Sequence, residues 1–405
     1  MNLTRQHSSE RNTKGNRLGF RVSGPLSILG MMSGTSGDGI DGALVYFKGD
    51  GRYRLEWHDS YDFAPPVRRR LQSLMAECSG ADMARAEAYV AELHAEAVRS
   101  FRCRHRDAID ALAVHGQTLI HVPLPAEWEG IKVSGTIQVI NPGWLAQRTG
   151  IPVISDFRRR DLAVGGQGAP LVPFGDARFF GHLPGHTIAL NVGGIANVTV
   201  LASGPEAKVV SAFDTGPGNM LMDAATVWAT DGALRFDQDG KLSAQGRVHH
   251  PLLDSLMNDP YLKRVPPKTT GREDFGSTRW EQIKSLWEKK LKPEEIICTL
   301  CEYTARSIAE ALDTFVISNW SPDRVIIAGG GALNPELVKR LRALLPSQCL
   351  LERSDAHGVP VMAREAMAFA ALGEAFLRGV PANVPSATGA KQPVLLGTFT
   401  PADLG

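Results

Sequence analysis

Three sequence patterns are missing from this 405-residue chain. There is no GxxxxGK run followed by Ser or Thr, which excludes a P-loop nucleotide site. HExxH and GxSxG are absent too, which weighs against a zinc protease and a serine hydrolase. No apolar run approaches the roughly 18 residues of a membrane helix. Charge of one sign is not in surplus: 44 Lys and Arg stand against 43 Asp and Glu. The basic excess that suits a nucleic-acid partner is therefore lacking. Cysteine is sparse, with five scattered residues at Cys78, Cys103, Cys298, Cys301 and Cys349. Such a set suggests reduced thiols in a cytosol rather than a disulfide framework. Cys298 and Cys301 read CxxC, but no second pair follows at zinc spacing. They also sit in the helical pattern Ile297, Cys301, Thr304, Ile308, Leu312 and read as core thiols.

What is present is ordinary globular material, 43% apolar and 21% charged, enough for two to three domains. Residues 1–24 are polar and basic (Arg5, Arg11, Lys14, Arg17, Arg21) and lack the apolar segment of a secretory signal. They read as a disordered extension, with an Arg-rich transit peptide as the alternative. Strand-length runs follow at Leu26 to Met32, Ala43 to Phe47 and Tyr53 to Tyr61. Helical spacing is seen over Pro66 to Glu77 and Ala81 to Arg102. Further strands are expected at Ile109 to Val114, Thr136 to Ile140 and Ile151 to Ser155. The same order restarts at Thr187 to Val192, Asn197 to Leu201 and Val209 to Phe213. Helices near 219–230, 293–317, 335–345 and 362–377 then alternate with strands at 324–328 and 349–352. Three antiparallel strands followed by strand–helix alternation thus occur twice. The expected class is α/β, with duplicated mixed sheets covered by helices.

Glycine is abundant, and it clusters. A phosphate is gripped by several backbone N–H groups at close range, and glycine turns and Ser/Thr hydroxyls supply them. Two such turns occupy matching places in the two halves: Ser33-Gly-Thr-Ser-Gly-Asp-Gly39 and Asn191-Val-Gly-Gly-Ile-Ala-Asn197. Taken singly, each is equally an ordinary hairpin turn. A third, Gly329-Gly-Gly331, follows a strand and precedes a helix, the arrangement of a nucleotide crevice. Asp214 ends an apolar strand just before Gly, Pro and a helix, where active-site acids tend to lie; an Asx turn or helix cap is the plain alternative. His115 also ends a strand, as a catalytic or a structural imidazole. Arg158-Arg-Arg160 between Asp156 and Asp161 is a solvated charge run or an anion contact.

Together these motifs resemble the anhydro-N-acetylmuramic acid kinase family. The resemblance is carried by Gly30-Met-Met-Ser-Gly-Thr-Ser-Gly-Asp-Gly-Ile-Asp41, His115-Gly-Gln-Thr118, Asp156-Phe-Arg-Arg-Arg-Asp161 and Gly165-Gly-Gln-Gly-Ala-Pro-Leu-Val-Pro173. Asn191 to Asn197, Phe213-Asp-Thr-Gly-Pro-Gly-Asn219, Thr270-Gly-Arg-Glu273 and Gly329 to Gly331 complete it, in family order over about residues 28–395. Gly37 departs from the Leu of many members, Phe174-Gly-Asp176 departs from Ala-Phe-His, and the basic N-terminus is extra. These departures put fine substrate tuning in doubt rather than the reaction.

The resemblance implies a two-lobed fold of the sugar kinase, Hsp70 and actin superfamily, with ATP and Mg²⁺ in a central cleft. The lobes it implies are 25–180, joined by 362–405, and 181–361. It implies hydrolytic opening of 1,6-anhydro-N-acetylmuramic acid with phosphorylation of O6, in peptidoglycan recycling in the cytoplasm. Asp214 matches the base that activates the water. Ser33, Gly34, Thr35, Ser36, Gly37, Asp38, Gly39 and Ile40 would wrap the phosphates, with Gly193 and Gly194 from the other lobe. Gly329 and Gly330 would lie against adenosine, and Asp38 is the candidate metal ligand. Thr118, Arg160 and Glu365 are candidate sugar contacts. A homodimer is implied, with no nucleic-acid or membrane partner. Two other readings fit the motifs less fully: a kinase of an ordinary sugar hydroxyl, and an ATP-gated binding protein.

Overall fold

The computed structural model describes residues 22–34, 37–202, 208–318 and 320–403. One sheet is built from β1 (Leu26–Met32), β2 (Gly39–Phe47), β3 (Tyr53–Asp62), β4 (Ala111–Val114), β7 (Val153–Ser155) and β13 (Thr398–Thr400). Its order is β13-β7-β4-β1-β2-β3. The second holds β8 (Thr187–Val192), β9 (Ile195–Ala202), β10 (Lys208–Pro217), β11 (Arg324–Ala328) and β12 (Leu350–Arg353), in the order β10-β9-β8-β11-β12. In both, the first strand pairs antiparallel with the second and parallel with the fourth element. The duplication expected from the strand pattern is therefore present in pairing and direction, not merely in count.

The central strands have both faces covered, so they read as unbroken apolar runs: all six residues of β8 are buried. The Arg364–Arg378 helix lies on β1 because both surfaces are small. A Cβ at Gly30 would run into the backbone of Ala366 and Ala370, and one at Gly373 would meet Ala113 at 2.7 Å. The Val172–Phe180 helix packs against that helix and against β8 to β10. One buried cluster accordingly runs from Ile28 and Val45 through Phe369 to Ala189 and Ile326, continuous between the two sheets.

A buried ion pair, Asp176 with Arg364, lies at this seam, and Thr199 of the second sheet is tied to it. Asp176 accepts from Arg364 Nε at 2.7 Å and from Thr199 Oγ1 at 2.6 Å. Both charged side chains are almost wholly enclosed, 0% and 2% exposed. Asp176, which the sequence places in a departure from the family pattern, is thus a structural tie.

Some elements lie outside what periodicity predicts. Thr136 to Ile140 is only the end of a long arm, β5 (Gln117–Trp128) paired with β6 (Ile131–Val139). Helices at Lys241–Gln245, His250–Met257 and Ser277–Trp287 fill a stretch that carries no clear pattern. The Pro293–Leu312 helix stops five residues short of expectation and finishes in a π turn, Asp313–Ile317. All five cysteines are free, with Cys298 and Cys301 buried. Val22 and Gly24, the end of the segment expected to be disordered, are held by Leu377 and Arg378. The rest of that segment lies outside the described residues. Among the described residues, no helix is long and apolar enough to cross a membrane.

Candidate active site

Several of the candidate residues sit just beyond the carboxyl end of a strand, where strand-to-helix turns leave a crevice. β1 runs into Ser33, β4 into His115, β7 into Asp156 and Arg158, β8 into Gly193, and β11 into Gly329. Strand register then fixes who faces whom. Asp214 is opposite Asn197, Asn197 is opposite Asn191, and Asn191 is opposite Ala328. Directly paired residues share a face, so Asp214, Asn197 and Asn191 form one row across three strands. At the usual strand spacing the two ends of that row are about 10 Å apart. Asn191 Nδ2 donates to Glu365 Oε1 at 3.1 Å, which carries the row across to the helix that covers the first sheet.

Asp214 is held by its surroundings on every side. Its N–H donates to the Lys268 carbonyl at 3.0 Å, and its own carbonyl accepts from Tyr261 Oη at 2.9 Å. Oδ2 accepts from the Thr270 N–H at 2.9 Å. Burial pushes the carboxyl up to about 7, helped by Glu273 and opposed by Thr270 and Lys268. A carboxyl tuned to neutrality is suited to proton transfer at physiological pH.

The glycine turns converge beside this row. Gly193 and Gly194 carbonyls accept from the N–H groups of Asn219 and Gly218, at the mouth of the Met220–Ala229 helix. Gly329 has φ +80°, and a Cβ there would come within 2.7 Å of Asn191 Oδ1 and Val192 O, so only glycine fits. Asn219 Nδ2 ties the two turns by donating to Val192 O at 3.1 Å. Gly193 and Gly330 remain uncrowded and open to a ligand.

On the other side, Ser33 is buried and donates to Gln117 Oε1 at 2.7 Å, while Gln117 Nε2 donates to Gly34 O at 3.2 Å. Gly37 has φ +64°, a left-handed backbone that suits glycine. Thr35 and Ser36 lie outside the described residues. Gly39 and Ile40 open β2; Ile40 is fully buried in the core of that half. Asp38 is half exposed and accepts from Arg235 Nη2 at 3.2 Å, a pair that reaches from one half to the other. Asp223, in the first turn of the Met220–Ala229 helix, is pushed up to about 7 by burial and by the Asp38 and Asp237 charges. A carboxylate raised by neighbouring acids, as Asp223 is, is relieved by a divalent cation, so the donors present fit Mg²⁺. Among the described residues no three His, Cys, Asp or Glu side chains are grouped to hold a metal by themselves.

The remaining candidates divide. Glu365 is in the row, its carboxyl pushed up by burial, with Arg364 and Arg158 opposing and Asp41 adding to the rise. Thr118 Oγ1 accepts from Gln138 at 3.3 Å at the root of the arm. Arg160 is exposed and donates to Leu395 O at 3.4 Å. The arginine turned toward Glu365 is Arg158, which donates from Nε to His115 Nε2 at 3.0 Å and from Nη1 to Gly168 O at 2.7 Å. His115 in turn bonds Gly116 O through Nδ1, so it is a neutral imidazole fixed between two donor–acceptor partners. Burial and the Arg158 charge both hold it well below the usual imidazole range. Asp161 is a scaffold: fully buried, it accepts from Gly168 N, Asn383 and Thr388. Asn197, Asp223, Arg158 and Lys268 gain their places only from register and tertiary contact, although Asn197 and Arg158 stand inside quoted motifs.

The paired 3-2-1-4-5 sheets, with glycine turns and carboxylates at their shared strand ends, define the class of two-lobed sugar kinases and actin-like ATPases. The profile described as anhydro-N-acetylmuramic acid kinase matches residues 26–402. The chain belongs to the anhydro-N-acetylmuramic acid kinase family, a family of ATP-dependent sugar kinases. It is 39% identical over 384 residues to the anhydro-N-acetylmuramic acid kinase of Caldanaerobacter subterraneus subsp. tengcongensis, covering 92% of this chain and 96% of that one. The Streptomyces coelicolor protein of the same name is also 39% identical, covering 93% and 94%. Among solved structures, a ROK family glucokinase from Streptomyces griseus in complex with glucose and AMPPNP aligns with TM-score 0.38 and 12% identity, over 85% of this chain and 98% of that one. The activator of 2-hydroxyisocaproyl-CoA dehydratase from Clostridium difficile with bound ADPNP aligns with TM-score 0.41 and 12% identity, over 87% and 96%. At such values the class rests on the sheet order and the family match.

Proposed function

We propose that the protein opens the internal C1–O6 bridge of 1,6-anhydro-N-acetylmuramic acid with water and phosphorylates O6 from ATP. The products are N-acetylmuramic acid 6-phosphate and ADP, as peptidoglycan recycling in the cytoplasm requires. The observation that carries this reading is Asp214, a strand-end carboxyl at about 7 in one row with Asn197 and Asn191. Asp214 takes a proton from the water as that oxygen bonds to C1. The C1–O6 bond breaks, O6 bonds to the γ-phosphorus, and the bond from that phosphorus to the β-γ bridging oxygen breaks. Phosphorylation makes O6 a leaving group without a second acid, so one essential carboxylate suffices where a glycosidase uses two.

Thr270 N–H holds Asp214 Oδ2, which orients Oδ1 for the proton. Ser33 to Gly39 and the Gly193–Gly194 turn position the phosphates, and Gly329 and Gly330 lie against adenosine. Bound Mg²⁺ supplies charge neutralisation on the phosphate oxygens, with Asp38 and Asp223 as its protein carboxylates. Glu365 and Thr118 contact the sugar. Arg158 rather than Arg160 is the cation turned inward, beside Glu365. Incubation with ATP, Mg²⁺ and the anhydro sugar in H₂¹⁸O tests the reaction. The expected product gains both a phosphoryl group and one ¹⁸O at C1. A phosphorylated product that keeps the anhydro bridge, or carries no ¹⁸O, identifies an ordinary hydroxyl kinase instead.

We also propose a homodimer through the β5–β6 arm. Cross-strand pairs Ile120–Ile137, Ala126–Val133 and Trp128–Ile131 share one face, whereas His121–Thr136 and Glu127–Lys132 share the other. Trp128 is 72% and Ile131 65% exposed, and a lone two-stranded ribbon is barely stable uncovered. A second copy is the fitting cover, because a two-fold axis lays the same apolar face of its arm, with Trp128 and Ile131, onto this one. Sedimentation should give a dimer for the wild type and a monomer for Trp128→Lys/Ile131→Glu; an unchanged dimer in that variant removes the arm from the interface.

A further inference from the structure

Lys268 is a lysine that ordinary surface chemistry does not explain. It is 5% exposed and lies within the loop that closes under Asp214. Its Nζ donates to the Leu262 carbonyl at 3.1 Å and to that of Tyr261 at 3.5 Å. Three rings surround it, with centroids 4.9 Å away for Tyr261, 4.9 Å for Phe315 and 6.0 Å for Phe213. Aromatic faces and carbonyl oxygens stabilise a cation without neutralising it. Two of the cage residues also grip the candidate base: Phe213 precedes it in the strand, and Tyr261 Oη donates to its carbonyl. The Lys268 carbonyl receives the Asp214 N–H.

We propose that Lys268 is a positioning residue for the reaction: a cation caged by Tyr261, Phe315 and Phe213 beneath Asp214, whose field favours the anionic form of that carboxyl without touching substrate. This rests on Asp214 being the base. The two side chains act on each other by charge through the poorly screening interior. The other charged groups facing this pocket are Arg264, over the Tyr261 ring at 5.3 Å, and the anions Glu273 and Asp274. Glu273 raises the Asp214 carboxyl and Lys268 lowers it. Burial pulls Lys268 down to about 8, and Asp214 pulls it back up, so it is mostly charged at pH 7.

The test is the pH profile of kcat/KM for Lys268→Met, Lys268→Gln and Lys268→Arg. Gln keeps a donor for the Leu262 carbonyl, and Arg keeps the charge. In both neutral variants the acid limb should move to higher pH, so that activity falls about tenfold at pH 6.5 yet approaches wild type near pH 9; Arg should restore the limb. An equal loss at every pH, or a limb that does not move, overturns the proposal. So does failure of both neutral variants to fold, seen in their melting curves, since the residue is then purely structural. Normal turnover by Asp214→Asn would instead remove the assignment of the base itself.

Discussion

Asp214→Asn should lose at least about 10²–10⁴ in kcat, the usual worth of a positioned general base, with ATP affinity unchanged. The substitution is nearly isosteric. The amide oxygen can still accept from Thr270 N–H, and the backbone bonds to Lys268 and Tyr261 do not involve the side chain. Only the capacity to take a proton is removed. In the wild type the carboxyl must be ionised to act, and burial raises it to about 7. The rate should therefore climb with pH through about 7, and the residual rate of the Asn variant should not follow that rise. The same shift has a stability consequence of opposite sign. A carboxyl that ionises near 3.8 in the unfolded chain and about 7 in the folded one disfavours folding as pH rises between those values. Asp214→Asn should accordingly melt higher than wild type at pH 8, by an amount on the order of 1–3 kcal/mol. Calorimetry at pH 5 and pH 8 checks this: the gain should be clearly larger at pH 8 than at pH 5, and an equal gain at both would contradict it.

The largest stability effect is expected at the seam between the halves. Asp176→Ala leaves the Arg364 guanidinium buried without its counter-charge, and such a loss costs about 3–5 kcal/mol. For a chain of 405 residues the melting point should fall by about 4–6 °C. The loss is one of pairing rather than of net attraction, because two buried ions repay their desolvation only together. A second variant, Asp176→Leu/Arg364→Met, should therefore recover much of the stability lost in Asp176→Ala. If the double variant is less stable than the single one, the pair contributes more than mutual compensation. Glu365 follows Arg364 at the start of the same helix and is held by Asn191, so the single variant should also raise the KM for sugar.

Much of this architecture was open to reading along the chain. The apolar runs Leu26 to Met32 and Thr187 to Val192 are strands because both faces are buried, and burial on both faces writes an unbroken hydrophobic run. The glycine turns were visible because close approach of backbone to backbone tolerates no Cβ, as at Gly329. Asp214 was visible as a carboxylate interrupting an apolar strand end. The β5–β6 arm was not. Its two prolines, Pro123 and Pro125, and its bulge near Val122–Ala126 break the alternation that marks a strand.

Local pattern by itself determined where strands, turns and the one conspicuous carboxylate fall, since propensity, periodicity and steric exclusion act over a few residues. Only the tertiary structure decided that Arg158 rather than Arg160 turns toward Glu365. Only it decided that Asp176 is a structural tie, and that Lys268 stands beneath Asp214. Those facts depend on register and on the dielectric of the interior, which residues far apart in sequence create together.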